Sequence, residues 1–176
     1  MRNAALAWRL LLAGLTIAFA GLPLTMRGQM KSETDQQAIA AVIDRFVGAW
    51  NQHDAKAFAA VFAEDADFTN WRNEGASGRS KIEEFHAPMF ATIFKDSHLR
   101  YSAIETRLIR PDVAAMDVHW QMTGATDAQG NPRPERQGLL NLVMAKNAWE
   151  WQIMVMHNLD LTGLPPNPSN SATKNP

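Results

Sequence analysis

The sequence predicts a single α+β domain, because helical patterns come first along the chain and strand patterns follow. Apolar residues recur at helical spacing from about residue 35 to residue 52. Beyond residue 98, apolar residues alternate with polar ones, as in strands that bury one face. The globular part, about 130 residues, has the usual size of one domain.

Capping signals delimit three helices. Thr34 and Gln37 form a capping box before the first helix, and Asp54 is a suitable N-cap for a second, short helix. Ser80 and Glu83 form another capping box, which predicts a third helix from about residue 81 to residue 94. The first and third helices each carry an apolar stripe that must face the core.

Six strands are predicted around these helices. The first covers residues 66–71 and turns back through Asn73 and Gly75 to a short partner that ends near Gly78. Pro111 suits the second position of a type I turn, and a long loop with two prolines separates the later strands. The four later strands are predicted over residues 99–109, 113–123, 136–146 and 149–161.

The two ends fall outside this domain, which is predicted to span residues 34–162. Residues 1–30 combine a positive start at Arg2 and Arg9, a short apolar run and the small-x-small pattern Ala18-Phe19-Ala20, which predicts a signal peptide. An uncleaved N-terminal anchor is the alternative, and only then would a membrane be a partner. Export would place the domain in the periplasm or outside the cell. Residues 163–176 are rich in Pro, Asn and Ser and predict a disordered tail.

Composition excludes several classes of function. The 176 residues include no cysteine, so disulfides, thiolate catalysis and thiolate-bound metals are excluded. A formal net charge of −1, with Lys and Arg scattered among acids, argues against nucleic acid as a partner. Neither a dinucleotide-binding glycine fingerprint nor a pair of histidines at short metal-ligand spacing is present, so no cofactor and no metal are predicted.

An ordered series of short motifs resembles the nuclear transport factor 2-like superfamily. The series comprises Phe46–Asn51 followed by His53 and Asp54, Phe62–Phe68, Gly78–Ile82 leading to His86, and Met156–Asn158. It spans residues 36–160 and is most similar to SnoaL-like members, particularly the SgcJ/EcaC group. The resemblance implies a cone-shaped, curved mixed sheet wrapped around helices, with a cavity between them and frequent homodimers. It does not imply one reaction, since the superfamily includes isomerases, dehydratases, cyclases and non-catalytic binding modules.

Two histidines are the candidate catalytic residues. Helical spacing places His86 on the apolar stripe of its helix, four residues after Ile82. The alternative for His86 is a core histidine bonded to a backbone carbonyl. Strand alternation places His157 on the face of Ile153 and Val155, so both imidazoles are predicted to face one interior.

Four further residues are predicted to bind the ligand. Asn70 shares a strand face with Phe68 and is the preferred polar contact. Asp67 is an acid on the opposite face, and its alternative interpretation is a structural carboxylate at the start of the strand, in an acidic turn at Glu64-Asp65. Trp120 lies on the apolar face of its strand, and Trp50 lies on the apolar stripe of the first helix.

These patterns lead to one hypothesis and one alternative. The hypothesis is a cavity protein for a small apolar organic molecule; if it is an enzyme, the expected activity is that of an isomerase, cyclase or dehydratase working by histidine proton transfer. The alternative is a non-catalytic ligand-binding or dimeric interaction module. A homodimer is predicted through the strand face that carries Asp117, His119 and Gln121.

Overall fold

The computed structural model describes residues 24–148 and 150–163. The chain divides into a segment that ends at Asp35 and a compact unit that begins at Gln36, and the cavity discussed below belongs to the second. The predicted cleavage pattern at residues 18–20 and the predicted tail beyond residue 163 lie outside the described residues. Within the described part, no helix combines the length and apolar character needed to cross a membrane.

The described residues form three helices, at Leu24–Asn51 (α1), Ala55–Ala60 (α2) and Arg79–Phe90 (α3). Helix α1 begins earlier than the capping box at Thr34 predicts, because residues 24–33 are mostly good helix formers and contain no proline. The N-cap of α2 is confirmed, since the Asp54 carboxylate accepts a hydrogen bond from the backbone N–H of Ala57 at 2.9 Å. Helix α3 has Gly78 at its N-cap instead of Ser80.

Six strands form one curved mixed sheet in the order β2-β1-β6-β5-β4-β3. Their bounds are Phe62–Thr69 (β1), Gly75–Ser77 (β2), His98–Arg110 (β3), Val113–Thr123 (β4), Arg136–Asn147 (β5) and Glu150–Asp160 (β6). Strands β1 and β6 pair in parallel, and every other neighbouring pair is antiparallel. The predicted α+β fold class is therefore confirmed.

The core lies between the helices and the inner face of the sheet. Burial alternates without interruption along β4, where Ala114, Met116, Val118, Trp120 and Met122 are buried and their neighbours are partly exposed. This is the alternation that the sequence predicts for the strand. Helix α1 contributes the fully buried Ile39, Ile43 and Phe46 from its apolar stripe.

Strand β6 contains a β-bulge that changes which residues face inward. Its pairing with β5 skips Met154, since Ile153 pairs with Met144 and Val155 pairs with the adjacent Val143. The extra residue reverses the alternation, because side chains change face at every residue of a strand. Ile153 therefore faces inward before the bulge and Met156 faces inward after it.

Strand β5 has no room for a side chain at Gly138. A Cβ atom there would lie 2.1 Å from the carbonyl oxygen of Leu159 and 2.4 Å from Cζ2 of Trp120. Only glycine leaves room for the Trp120 ring to lie against the neighbouring strand. The absence of a side chain at residue 138 thus positions an aromatic wall of the cavity.

Candidate functional site

A cavity of about 300 Å³ lies between the helices and the inner face of the sheet. Its volume is at the lower end of the range for small-molecule sites. Most of its wall is apolar or aromatic, and the apolar lining comprises Phe46, Trp50, Phe68, Phe85, Met89, Ile93, Phe94, Leu99, Trp120, Met122, Leu140 and Met156. The wall also carries nine polar side chains, namely Asn70, Arg72, Glu74, His86, Thr126, Asp127, Arg133, Arg136 and Asn158. The apolar part favours an organic molecule with little polarity, and the polar side chains decide its orientation.

His86 is the buried polar group on the helical side of this cavity. It lies on α3 with the buried Ile82 and Phe90 four residues away on either side, and its side chain is only 2% exposed. Its Nδ1 lies 2.8 Å from the carbonyl oxygen of Ile82. Because a carbonyl can only accept, Nδ1 carries the proton, and Nε2 is left with a lone pair.

The Nε2 atom of His86 has no hydrogen-bond partner among the described residues. Among the described residues, every fully buried side-chain nitrogen or oxygen has a hydrogen-bond partner. Because Nε2 has none, it is not fully buried, and it is accessible from the cavity that His86 lines. The two interpretations of His86 from its sequence position, a carbonyl-bonded core residue or a cavity residue, thus each describe one of its two ring nitrogens. The result is an oriented hydrogen-bond acceptor inside an apolar space.

Aromatic rings surround the imidazole. The ring centroid of His86 lies 4.3 Å from that of Phe58, 4.8 Å from that of Phe68 and 5.3 Å from that of Phe85. Burial among these rings lowers the pKa of His86 from its ordinary 6.5 to about 4, and the hydrogen bond to Ile82 offsets only part of this. His86 is therefore neutral at physiological pH.

A buried ion pair forms a second polar group on the cavity wall. Arg136 donates from Nε and Nη2 to the same Asp160 carboxylate oxygen, at 3.0 and 2.6 Å. The side chains are only 7% and 14% exposed. The guanidinium carbon also lies 5.9 Å from the ring centroid of Trp71 and 5.8 Å from that of Trp120, within cation–π distance of both.

Asn158 adds an oriented amide beside this ion pair. The indole N–H of Trp120 donates to Asn158 Oδ1 at 3.0 Å. Because an indole N–H only donates, the amide oxygen must face it, and this fixes Nδ2 as the other amide atom. Nδ2 has no partner among the described residues, and Asn158 lines the cavity.

The turn between β1 and β2 supplies exposed residues to the cavity rim. Asn70 organises this turn, because its Oδ1 accepts from the backbone N–H groups of Arg72 and Glu74 at 2.8 and 3.0 Å. Its Nδ2 donates to the Glu74 carboxylate at 2.9 Å. Trp71, which follows Asn70, is 47% exposed although it lines the cavity. An exposed indole at this position can contact a ligand that enters.

Four of the six predicted site residues line the cavity, namely His86, Asn70, Trp120 and Trp50. Asn70 has its polar atoms engaged within the turn, and the Trp50 indole donates to Ser97 Oγ at 3.0 Å. Their placement is a fact of the structure, and their roles in binding or catalysis stay predictions.

The prediction that His157 faces the cavity is wrong. His157 is exposed on the outer face of the sheet, because the bulge at Met154 inverts the alternation on which the prediction rested. Its neighbour Asn158, which uninterrupted alternation would place on the face opposite His157 and so outside, lines the cavity instead.

The placement of Asp67 in the site is also wrong. Asp67 is exposed on β1, and its carboxylate accepts a hydrogen bond from the Ser77 hydroxyl across the β1–β2 hairpin. The alternation along β1 puts Phe68 inside and Asp67 outside. Asp67 is therefore a structural carboxylate outside the cavity, within strand β1 and not in the turn that the alternative interpretation assumed.

The cavity residues that the sequence analysis missed include Arg136, Asn158 and Trp71. A signal for Arg136 exists, because it has the same parity along β5 as the apolar Leu140, Leu142 and Met144 and so falls on the inner face. Asn158 is hidden by the bulge. Trp71 lies in a turn, where alternation gives no information.

Comparison with known proteins decides the family. The model of the SnoaL-like domain matches residues 43–139, more than half of the chain. This chain belongs to the SnoaL-like domain family. The resemblance predicted from the motifs is confirmed, and the family lies in the nuclear transport factor 2-like superfamily. The sequence of this SnoaL-like domain protein matches no curated protein.

Solved structures share the fold of the SnoaL-like domain. A cystatin-like-fold protein from Caulobacter vibrioides is 27% identical, with 78% of this chain and 94% of that chain covered and a TM-score of 0.68. A candidate scytalone dehydratase from Novosphingobium aromaticivorans is 17% identical, with 75% and 87% covered and a TM-score of 0.65. A type 2 hexachlorocyclohexane dehydrochlorinase is 10% identical, with 79% and 99% covered and a TM-score of 0.68. At such identities the last two show the fold alone.

Proposed function

We propose that this SnoaL-like domain binds a small, largely apolar organic molecule in its cavity. The observation that carries the proposal is His86, a neutral imidazole whose lone pair at Nε2 has no protein partner inside an aromatic wall. Nε2 is accessible from the cavity, so a ligand that donates a hydrogen bond to it can complete this interaction. Two enzymes that act on small organic molecules share the fold, which is consistent with this use of the cavity.

A finer proposal is that His86 transfers a proton, as an isomerase, cyclase or dehydratase requires. Its tautomer is set by the Ile82 carbonyl, so Nε2 is the atom that would accept a proton from the substrate. A base with a pKa of about 4 is weak in the ligand-free state. It therefore suits a substrate whose proton is acidified by an adjacent carbonyl group. The non-catalytic alternative keeps His86 as a hydrogen-bond acceptor only.

One experiment distinguishes these functions. The probe is 2-tetralone, a bicyclic ketone with acidic protons beside its carbonyl. We expect saturable quenching of tryptophan fluorescence and accelerated exchange of these protons in D₂O, followed by NMR. His86→Phe should reduce exchange to the buffer rate, whereas His157→Gln, on the outer face, should leave it unchanged. Exchange should also be independent of pH from about 5 to 8, because His86 is already neutral there.

Each other outcome is informative. Binding without exchange contradicts proton transfer and supports a binding module. Absence of binding for apolar probes of this size contradicts the cavity proposal itself. Exchange that persists in His86→Phe assigns the base elsewhere.

We also propose that two copies pair through the outer face of β4, β5 and β6. This face carries Val143 and Leu159, which are 37% and 41% exposed, beside the polar Asp117 and Asn141 that bond to each other. A mixed apolar and polar face of this kind can be self-complementary in an isologous dimer. Sedimentation at micromolar concentration should show twice the chain mass, and Val143→Arg should shift the species to monomer. A wild-type protein that sediments only as monomer contradicts the proposal.

Export to the periplasm or beyond is proposed from the N-terminal pattern of residues 1–30. Cleavage after the small-x-small pattern would leave mature protein that begins near Gly21. N-terminal sequencing of protein recovered from outside the cytoplasm is expected to return this end. Recovery of Met1 would rule cleavage out and support the uncleaved anchor.

A further inference from the structure

We infer that the cavity ligand carries an sp² oxygen acceptor, a carbonyl or a carboxylate, which is held by Arg136 and Asn158. This inference rests on the proposed binding function and deepens it by naming the polar group of the ligand. It follows from the hydrogen-bond donors of Arg136 and Asn158 that have no protein acceptor on the described part of the cavity wall.

One nitrogen of the Arg136 guanidinium makes no hydrogen bond among the described residues. Its Nε and Nη2 both donate to Asp160 Oδ2, and Nη1 has no hydrogen-bond partner among the described residues. The other Asp160 oxygen accepts from the backbone N–H of Thr162 at 2.8 Å, so the carboxylate is fixed from two sides. A guanidinium held in this way keeps its last donors in a fixed plane, which suits recognition of a planar oxygen group.

Asn158 contributes a second donor of the same kind. Its oxygen is occupied by the Trp120 indole, so only the Nδ2 donor remains for a ligand. Trp120 joins the two groups, since it bonds to Asn158 and lies 5.8 Å from the Arg136 guanidinium carbon. The polar groups beside Trp120 that can still bind a ligand are therefore hydrogen-bond donors.

His86 has the opposite character, because its free atom is an acceptor. The cavity thus presents donors at Arg136 and Asn158 and an acceptor at His86 within a largely aromatic wall, and the charged Arg72, Glu74, Asp127 and Arg133 lie elsewhere on its lining. A purely hydrocarbon ligand would leave these donors unpaired, which costs binding free energy. A ligand with an oxygen acceptor satisfies them.

A series of naphthalene probes tests the inference by fluorescence titration. 2-Ethylnaphthalene has no acceptor, 2-acetylnaphthalene has a neutral carbonyl, and naphthalene-2-carboxylate has a charged one. We expect at least one oxygen-bearing probe to bind about 5-fold or more tightly than 2-ethylnaphthalene. Whichever of 2-acetylnaphthalene and naphthalene-2-carboxylate binds more tightly shows whether the recognised oxygen is neutral or charged.

Asn158→Asp is the decisive variant, because it keeps an oxygen for the Trp120 indole and replaces the donor by an acceptor. It should lose the preference for the oxygen-bearing probes and keep the affinity for 2-ethylnaphthalene. Arg136→Lys, which retains the charge beside Asp160, should weaken the preference without abolishing folding. His157→Gln is the control and should behave as wild type.

The outcomes separate this inference from the function on which it rests. If no probe binds, the cavity proposal fails. If 2-ethylnaphthalene binds as tightly as both oxygen-bearing probes, or if Asn158→Asp retains the preference, the acceptor inference is overturned and the cavity proposal stands.

Discussion

Replacing His86 by phenylalanine should remove a large part of the acid sensitivity of folding between pH 6.5 and pH 4. Burial lowers the pKa of His86 to about 4, while the unfolded chain keeps the ordinary value of 6.5. Between these values the unfolded state binds the extra proton, so stability falls as the pH falls and levels off below the folded pKa. Above pH 6.5 this group contributes no pH dependence. The expected loss by pH 4.5 is about 2–3 kcal/mol.

Urea unfolding of wild type and His86→Phe at pH 7.5 and pH 4.5 measures this contribution. Carboxylates such as Asp160, whose pKa is lowered in part by Thr162 and Arg136 against the opposing effect of burial, affect both proteins equally and cancel in the difference. His157→Gln should keep the wild-type dependence, because that side chain is exposed. Equal slopes for wild type and His86→Phe would show that His86 is not buried as described.

Gly138→Ala should destabilise the domain by about 2–3 kcal/mol, since it forces a methyl group into an occupied space. The added Cβ would lie 2.1 Å from the Leu159 carbonyl oxygen and 2.4 Å from the Trp120 ring. The first of these contacts is with backbone and cannot be relieved by a change of rotamer. We therefore expect strand β5 to shift, a lower midpoint in urea, and a changed fluorescence of Trp120.

Gly48→Ala provides the matched control for this substitution. Gly48 lies in helix α1, and a Cβ atom there meets nothing within 4 Å. Alanine in a helix is favoured over glycine by about 0.5–1 kcal/mol, so this variant should be slightly more stable than wild type. The same chemical change is thus expected to have opposite signs at two positions. Equal effects at both positions would refute the close approach at Gly138.

Local patterns predicted most of the fold, because each element is marked by its own sequence. The strand predicted over residues 113–123 is β4 itself, since five apolar residues alternate there without interruption. The N-cap at Asp54 was predicted for the same reason, as its side chain bonds within its own turn. The start of α1 was not, because Thr34 can stand inside a helix as well as at its cap.

The site was harder to predict, because it depends on features that lie between elements. Helical spacing sufficed for His86, since it lies within α3 and its neighbours at four residues are apolar. Spacing failed for His157, because a bulge leaves no periodic trace in the sequence. It also said nothing of Trp71, whose place depends on a turn.

Because of the bulge at Met154, the side chains that β6 presents to the cavity depend on the number of residues in the strand as well as on their identity. Before it, odd-numbered residues of β6 such as Ile153 face inward, and after it even-numbered residues such as Asn158 do. A gain or loss of one residue at this point would exchange an interior amide for an interior imidazole without any substitution. Among relatives as distant as those of 10–27% identity, a functional residue on this strand can be transferred only after the bulge itself has been aligned.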